Sequence, residues 1–358
     1  MSISRQSQVK LHNTHALIDL LVRFGPQARG VLATKLNLSI PTVLSLVDSL
    51  TEGGVVEYVG INRGTGRPAP VIELSKNAWY AIALDVRPYS IRAALFNSHV
   101  ECVQRREVNW DPRFTMLDMM DTLQKIVEDL ASTTNFRLAV VIGVPGIVDV
   151  HKGMVREAKT LSMHEFPIIR MAQCYWKYPT LVENDVNLAA VGEYEALRGQ
   201  QDNEELDALV YCTKRPGLGV GIILNHSLWR GASGTAGEVG YLVPQIEALN
   251  EIPPAGGALE SLLTNQKGVV RASQDLTAAV LAMVVLSVTL IINPQVIVLD
   301  DDNDSRSIEY VRQTLGRHCP VTVRLITPRL RLDSGLYGAG FLGIQAARQR
   351  TLATMLLA

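Results

Sequence analysis

The order of the apolar segments constrains the fold of this 358-residue chain more than any other feature. From about residue 77, three strand-like segments are followed by alternating helices and strands, and a second such series begins near residue 208. This order indicates an α/β body of two lobes with a cleft, over residues 76–190 and 191–358. The predicted strands are Ala81–Asp85, Ile91–Phe96, Glu101–Asn109, Leu138–Val144, Thr180–Glu183, Ala208–Cys212, Gly219–Leu224, Gln295–Leu299 and Val321–Ile326. The predicted helices are Met116–Ala131, Val186–Leu197, Ser305–Arg317 and a segment from Ser334.

The longest apolar run, Ala278–Ile292, is shorter than the roughly 18 residues of a membrane span and ends at Asn293-Pro294. We therefore predict a buried helix there and no membrane partner. The first residues lack the apolar core of a signal peptide. The cysteines are widely spaced, which fits neither a zinc knuckle nor a disulfide framework and predicts a cytoplasmic protein; they are Cys102, Cys174, Cys212 and Cys319.

Residues 1–75 follow a different pattern, in which helices come first. One helix ends at Gly25-Pro26, a second spans about Arg29–Leu36, and Ser39 is placed to cap a third that has Pro41 in its first turn. Two strands, Val55–Val59 and Val71–Leu74, then flank a turn-rich segment. This order is typical of a winged helix-turn-helix, a DNA-binding module. A small helical cap or dimerisation domain is the alternative.

The charge distribution agrees with this division. Residues 1–76 hold eight basic and five acidic residues, a net charge of +3, whereas the remainder is −4 and the whole chain −1. A basic head on an acidic body favours nucleic acid as a partner of the head.

Two polar motifs indicate a ligand site in the body. Glu183-Asn184-Asp185 ends a strand, at the sheet edge where α/β proteins hold ligands. The side chains of Asn184 and Asp185 can together bind a sugar hydroxyl. Equally, Asn184 or Asp185 could cap the next helix. The glycine-rich segment Gly217–Leu242 allows close approach to a ligand or a strand, with a hairpin turn at Asn225-His226 and Glu238 after a small-residue loop.

Together these segments resemble the ROK family of repressors, open reading frames and sugar kinases, and more narrowly its repressor branch, which includes the N-acetylglucosamine and xylose repressors. The resemblance spans nearly the whole chain, and its motifs are GRPAP after the wing turn, Gly143–Asp149, Glu183–Glu193, Gly231–Gly240 and Ile292–Leu299. It implies that the body has the actin-like, ribonuclease H-like fold of sugar kinases, and that the protein is a homodimer or homotetramer.

The resemblance also implies a set of ligand-binding residues. Asn184, Glu238 and Glu260 match sugar-hydroxyl ligands, and Asp185 matches the general base of the kinases. Tyr241 stands at the position of a zinc-binding His that also touches the sugar, so we include it among the ligand-binding residues. The zinc-binding Cys positions hold Glu251, Pro253 and Ala258, so we expect neither zinc nor another cofactor.

The nucleotide side departs from the kinases in the family. Asp85 is retained, but the glycines of the phosphate turn are replaced by Arg87 and by Pro88, which has no N–H to offer. A later glycine pair is replaced by Asp300-Asp301, the start of an acidic run that would repel phosphates. We therefore expect no kinase activity and no catalytic residues.

The third helix of the head departs as well, because relatives often have arginines at the positions of Ile40 and Ser45. Base contacts would then come from the hydroxyl groups of Ser39, Thr42 and Ser45 and from Ile40 against thymine methyl groups. Arg63 and Arg67, in the wing, would contact phosphates or the minor groove.

The sequence thus predicts a regulator of transcription that binds an operator in DNA and responds to a sugar or sugar phosphate, acting as a repressor of carbohydrate-metabolism genes. Two alternatives stay open at this point. One is an ATP-dependent sugar kinase with an appended DNA-binding head. The other is a repressor controlled by a protein of the phosphotransferase system.

Overall fold

The computed structural model describes residues 5–62, 69–111, 115–134, 137–198, 205–214, 217–242, 274–300 and 305–355. The head begins with three helices, α1 (Arg5–Phe24), α2 (Arg29–Leu36) and α3 (Ile40–Glu52). Asn37 ends α2 in the left-handed conformation, and the Ser39 hydroxyl accepts the Thr42 N–H at 3.3 Å to cap α3. The apolar face of α3 is buried, as its 3.6-residue period predicts; it comprises Val43, Leu46, Val47 and Leu50.

A small antiparallel sheet completes the head. Its strands β1 (Gln27–Ala28), β2 (Val56–Asn62) and β3 (Ala69–Leu74) lie in the order β1-β3-β2. The two longer strands follow the prediction, with β2 extending three residues further. Sequence reasoning missed β1, because two residues carry no alternating pattern and only pairing with Val71 and Ile72 defines the strand.

The first sheet of the body has five strands in the order β11-β7-β4-β5-β6. They are β4 (Tyr80–Val86), β5 (Ser90–Asn97), β6 (Cys102–Asn109), β7 (Leu138–Val144) and β11 (Thr180–Asn184). The strands β4, β7 and β11 are parallel, and every residue of β7 is buried, which explains its uninterrupted apolar sequence. Helix α4 (Met116–Ala131) packs against this sheet and begins at a capping box between Thr115 and Asp118.

A smaller sheet follows β7 and was not predicted. It consists of β8 (Ile147–Asp149), β9 (Met154–Ala158) and β10 (Met163–Phe166), and helix α5 (Ile168–Tyr175) comes next. Each element is short and none has a clear period, which is why sequence reasoning left this region unassigned.

The second sheet of the body has the order β14-β13-β12-β15-β16. Its strands are β12 (Ala208–Thr213), β13 (Gly219–Leu224), β14 (Ser227–Leu228), β15 (Val296–Asp300) and β16 (Arg324–Ile326). Asn225 and His226 both have positive φ, 49° and 62°, as in the type I′ turn of a tight hairpin, so the predicted turn is confirmed. The last strand begins at Arg324, three residues later than predicted.

Helices cover both faces of the second sheet. Helices α7 (Gln274–Ile292) and α8 (Ser305–His318) share one apolar core with it, and α6 (Asp185–Arg198) packs on the other face. The predicted buried helix therefore exists within α7, although Ile291 near its end is 79% exposed. No single described helix is long and apolar enough to cross a bilayer; α2 and α3 meet that criterion only as a pair, and they are bent by 114°.

The last helix, α9 (Ser334–Met355), returns to the first sheet and packs against α6, β4 and β7. A Cβ atom on Gly338 would lie 1.8 Å from the Leu188 carbonyl oxygen, so only glycine permits this approach of α9 to α6. The apolar core of the head continues into the same region, and Arg348 of α9 forms an ion pair with Asp19 of α1 at 2.9 Å. The head is thereby connected to the helix that packs on α6.

Candidate functional site

A cavity of about 120 Å³ lies at the start of α6. Since one water needs roughly 10–15 Å³ by this measure, the space has room for a small polar molecule of several heavy atoms. Asn184, Asp185, Glu238 and Tyr241, four of the predicted ligand residues, line it together. The fifth, Glu260, lies outside the described residues. The lining also includes Glu157, Lys159 and Thr160 from the unpredicted small sheet and its continuation, and sequence reasoning missed these three.

Asn184 is fixed at the junction of β11 and α6. Its side-chain oxygen accepts the Asn187 N–H at 3.0 Å, and its amide nitrogen donates to the Gly146 carbonyl at 2.9 Å. The capping alternative is therefore found at Asn184, which still lines the cavity. A carbonyl oxygen has two lone pairs, so the capped side chain retains one site for a ligand donor.

Asp185 is one of the titratable groups that line the cavity. Its carboxylate accepts the N–H of Val186 at 2.9 Å. Burial, with the negative charge of Asp85 adding to it, raises the pKa of Asp185 to about 7, and the Arg87 guanidinium opposes the shift. Near neutral pH this carboxyl exists in both forms, so it can accept a proton from a hydroxyl group or donate one to it.

A buried ion pair holds the glycine-rich loop beside α6. Glu183 is 2% exposed and accepts a 2.6 Å bond from the Arg230 Nε. Its other oxygen accepts the Asn184 N–H at 2.9 Å and the Asn187 side-chain amide at 3.0 Å. Arg230 begins the loop that leads to Glu238, so this one carboxylate connects both sides of the cavity. From the sequence, a buried acidic residue such as Glu183 is expected to have a cationic partner, but the sequence does not identify that partner as Arg230.

The loop glycines serve backbone packing. Gly237 has φ of 89°, and a Cβ atom there would lie 1.7 Å from the Val220 carbonyl oxygen. The sequence predicts that this segment allows close approach either to a ligand or to a strand. The described contacts of Gly237 match the approach to a strand. This approach brings Glu238 to the cavity.

The predicted DNA-contacting residues lie on one exposed side of α3. Ser39, Thr42 and Ser45 are exposed, and Ile40 is 60% exposed although it is apolar. The hydroxyl groups of Ser39 and Thr42 lie 2.8 Å apart and share a hydrogen bond, so they present a joint donor and acceptor pattern to a partner. Arg63 and Arg67 lie outside the described residues.

Comparison with known proteins decides the family. The sequence profile of the ROK family matches residues 81–266, more than half of the chain. The chain belongs to the ROK family. A xylose repressor from Caldicellulosiruptor bescii is 29% identical over 219 residues, which are 60% of this chain and 54% of that repressor. The chain thus spans little more than half the length of this relative.

Solved ROK structures have the same fold. A ROK family transcriptional regulator, described as a homologue of the Escherichia coli Mlc protein, aligns with a TM-score of 0.72 at 17% identity over 97% of this chain and 99% of its own. A ROK glucokinase from Streptomyces griseus, in complex with glucose and AMPPNP, aligns with a TM-score of 0.60 at 21% identity over 74% of this chain and 99% of its own. The α/β, sugar-kinase-like body predicted from the sequence is therefore confirmed.

This ROK protein has an altered turn between β4 and β5. The Arg87 side chain holds Asp85 through its Nε at 2.8 Å and its Nη2 at 2.7 Å. The Arg87 N–H donates to the Ser90 carbonyl at 2.8 Å, and Pro88 has no N–H. Two backbone donors that a phosphate group would need are therefore occupied or lacking.

Two other departures of this ROK protein can be located only in part. Asp300 ends β15 and accepts a 2.8 Å bond from the Tyr211 hydroxyl, whereas Asp301 lies outside the described residues. Tyr241 lies at the cavity rim with its ring 6.0 Å from the Lys159 ammonium. Glu251, Pro253 and Ala258 lie outside the described residues, so the expected lack of zinc stays a prediction.

Proposed function

We propose that this ROK protein is a transcriptional regulator that binds DNA through its head and a sugar or sugar phosphate through its body. We propose further that it represses carbohydrate-metabolism genes and has no kinase activity. The observation that carries the proposal is the cavity at the start of α6. It gathers Asn184, Asp185 and Glu238 in a chain that also has a separate head of three helices and a small sheet.

The head is proposed to be a winged helix-turn-helix over residues 1–75, followed by an effector and oligomerisation region over residues 76–358. Support comes from the capped α3 with its exposed polar side, and from the likeness to a ROK regulator, which extends over 97% of the chain. Assembly into a homodimer or homotetramer would compensate for the lack of basic residues in α3 by doubling its DNA contacts.

The cavity suggests how a ligand would act on the head. A polyol that bonds to Asn184 or Asp185 and to Glu238 would bind one arrangement of α6 and the loop more tightly than another. Helix α6 packs closely on α9, and α9 is tied to α1 through Arg348 and Asp19. A displacement at the start of α6 would therefore be transmitted through α9 to the head, as ligand control of DNA binding requires.

The test is a gel-shift or footprinting assay over the promoters next to the gene, with and without a panel of sugars and sugar phosphates. We expect specific binding that one class of sugar weakens. A lack of specific binding even at low salt would contradict the DNA-binding role.

A sugar kinase is the second candidate, favoured by the carboxyl of Asp185, whose pKa near 7 suits a general base. The occupied turn at Arg87 and Pro88 argues against it. Incubation with ATP, Mg²⁺ and a panel of hexoses should yield no sugar phosphate, and turnover of any hexose would establish this candidate instead.

A third candidate is a repressor controlled by a protein of the phosphotransferase system. Isothermal titration calorimetry distinguishes it from sugar control. We expect saturable heat with one sugar and loss of that heat in Glu238→Ala and Glu260→Ala, whereas silence with all sugars would favour the protein partner.

A further inference from the structure

Three cations of the head lie on aromatic rings. The Lys35 ammonium is 3.5 Å from the centroid of the Phe24 ring, and the Arg23 guanidinium is 5.4 Å from the same centroid. The Arg29 guanidinium lies 6.0 Å from the centroid of Tyr58. We call these three cations and their two rings the cation–aromatic surface. Both rings are largely exposed, at 47% for Phe24 and 44% for Tyr58.

Rings and carboxylates hold a cation with different consequences. Within the part of the chain that the structure describes, none of these three cations forms an ion pair with a carboxylate. A ring attracts the cation through its face, so the positive charge is not cancelled, and the N–H donors that do not face the ring remain able to bond to a partner. The three cations are therefore restrained in position while they retain their charge and their hydrogen-bonding capacity.

The Lys35 end of this surface adjoins the predicted reading helix along the chain. Lys35 lies in the last turn of α2, and the turn at Asn37 leads directly to the Ser39 cap of α3. Arg29 is the first residue of α2, and Phe24 is the last of α1. The exposed side of α3 itself has no basic residue, so α3 cannot neutralise phosphate charge, on which most DNA affinity depends.

We infer that the cation–aromatic surface binds the phosphate backbone of DNA, with Arg23, Arg29 and Lys35 as phosphate contacts and Phe24 and Tyr58 as their supports. This inference rests on the proposed DNA-binding function and adds a source of its electrostatic affinity. In this arrangement the side of α3 selects the sequence, and the cation–aromatic surface supplies affinity that does not depend on sequence.

The test measures how binding depends on salt. The full-length protein is titrated by fluorescence anisotropy against a labelled duplex of mixed sequence over a range of KCl concentrations. Lys35→Gln should reduce the slope of log K against log[KCl] by about 0.9, and Arg23→Gln with Lys35→Gln by about twice that. Phe24→Leu keeps every charge, so it should leave the slope unchanged and weaken binding about two- to fivefold.

Lys10→Gln is the matched control, because Lys10 is exposed on α1 of the same head and lies on no aromatic ring in the described structure. It should change the slope much less than Lys35→Gln. Circular dichroism and thermal unfolding of each variant establish that it is folded.

The outcomes separate this inference from the proposal beneath it. A wild-type protein that binds no duplex at low salt would contradict both. Wild-type binding with slopes unchanged in the variants, or an equal reduction in Lys10→Gln, would overturn the inference and leave the DNA-binding function standing. Loss of binding to vesicles of anionic lipid in the same variants, with DNA binding intact, would assign the surface to a membrane and also overturn it.

Discussion

The head and the body hold several of their cationic side chains differently, although in the body Lys159 also lies on a ring, that of Tyr241 at 6.0 Å. In the body, guanidinium groups lie against carboxylates, as at Arg106 with Asp129 (2.7 Å) and Arg156 with Asp149 (3.0 Å). In the head, Arg23 and Lys35 lie on the ring of Phe24. A carboxylate partner cancels the charge it fixes, whereas a ring leaves it intact. The body uses charge to hold itself together, and the head keeps charge available for a partner.

The difference teaches that the sum of charges says little about a partner. The chain has a net charge of −1, and residues 1–76 a net charge of only +3. What distinguishes the head is the arrangement of these charges, and the sequence does not contain that arrangement in any local pattern. This distinction between head and body would fail if the ion pairs of the body did not stabilise the fold, or if the cations of the head did.

The largest effect is expected at the buried pair of the body. Arg230→Ala leaves the 2%-exposed carboxylate of Glu183 without its cation, and an uncompensated buried charge is costly. We expect a loss of about 2–4 kcal/mol in the free energy of unfolding, measured by urea denaturation.

Arg106→Ala is the matched control for that variant. Its pair with Asp129 has a similar distance, 2.7 Å, but the two side chains are 41% and 51% exposed. An exposed pair contributes less than about 1 kcal/mol. Equal losses in the two variants would mean that burial does not decide what a body ion pair is worth.

This buried pair also marks the limit of what the sequence could predict. Most strands and helices of the body follow from local apolar periodicity, and the cap at Ser39 from residue type and spacing. Arg230 and Glu183 are 47 positions apart, and no local pattern connects them. The same holds for Lys35 on Phe24 and for the ring and cation at Tyr58 and Arg29, which only the folded head brings together.

The candidate cavity shows the same division between local and long-range information. Asn184, Asp185 and Glu238 were predicted because each belongs to a recognisable motif. Lys159 and Thr160 were missed because they follow a short strand of the small sheet, whose irregular sequence predicts no element. Whether Asn184 caps or binds could not be chosen from residue type, since an Asn before a helix suits both roles.

The next largest effect on the free energy of unfolding is expected at Asp185. This carboxylate of the body lies near a cation that already pairs with another carboxylate. The Arg87 guanidinium is held by Asp85, and burial raises the pKa of Asp185 from 3.8 to about 7. The folded protein then keeps this proton to higher pH than the unfolded chain does, so the group lowers stability as pH rises from about 4 to 7. One unit of pKa shift corresponds to about 1.4 kcal/mol, so Asp185→Asn should stabilise the protein by at most about 4 kcal/mol at about pH 8, reduced by whatever solvent in the cavity screens, and by little at about pH 4.

At Asp149, substitution by Asn should change the free energy of unfolding in the opposite direction. The Lys152 backbone N–H and then the Arg156 guanidinium lower the pKa of Asp149, so its stabilisation is present above the unfolded pKa and is lost as pH falls. Asp149→Asn should destabilise the protein at neutral pH and have less effect in acid. Urea denaturation of both variants across this pH range checks the pair, and a shared sign would refute the assignment of charge partners.

The smallest effect on the free energy of unfolding is expected at the head cations. This prediction tests most directly whether the head and the body use their charges differently. Lys35 contacts an exposed ring, and an exposed cation–aromatic contact contributes about 0.5–1 kcal/mol, so Lys35→Gln should lower the free energy of unfolding by no more than that. The reason is that the ring remains covered by the side-chain stem that Gln retains in part. If the same variant also reduces the salt dependence of DNA binding, the charge serves the partner and not the fold. A loss as large as that of Arg230→Ala would instead place Lys35 among the structural charges, and the distinction between head and body would fail.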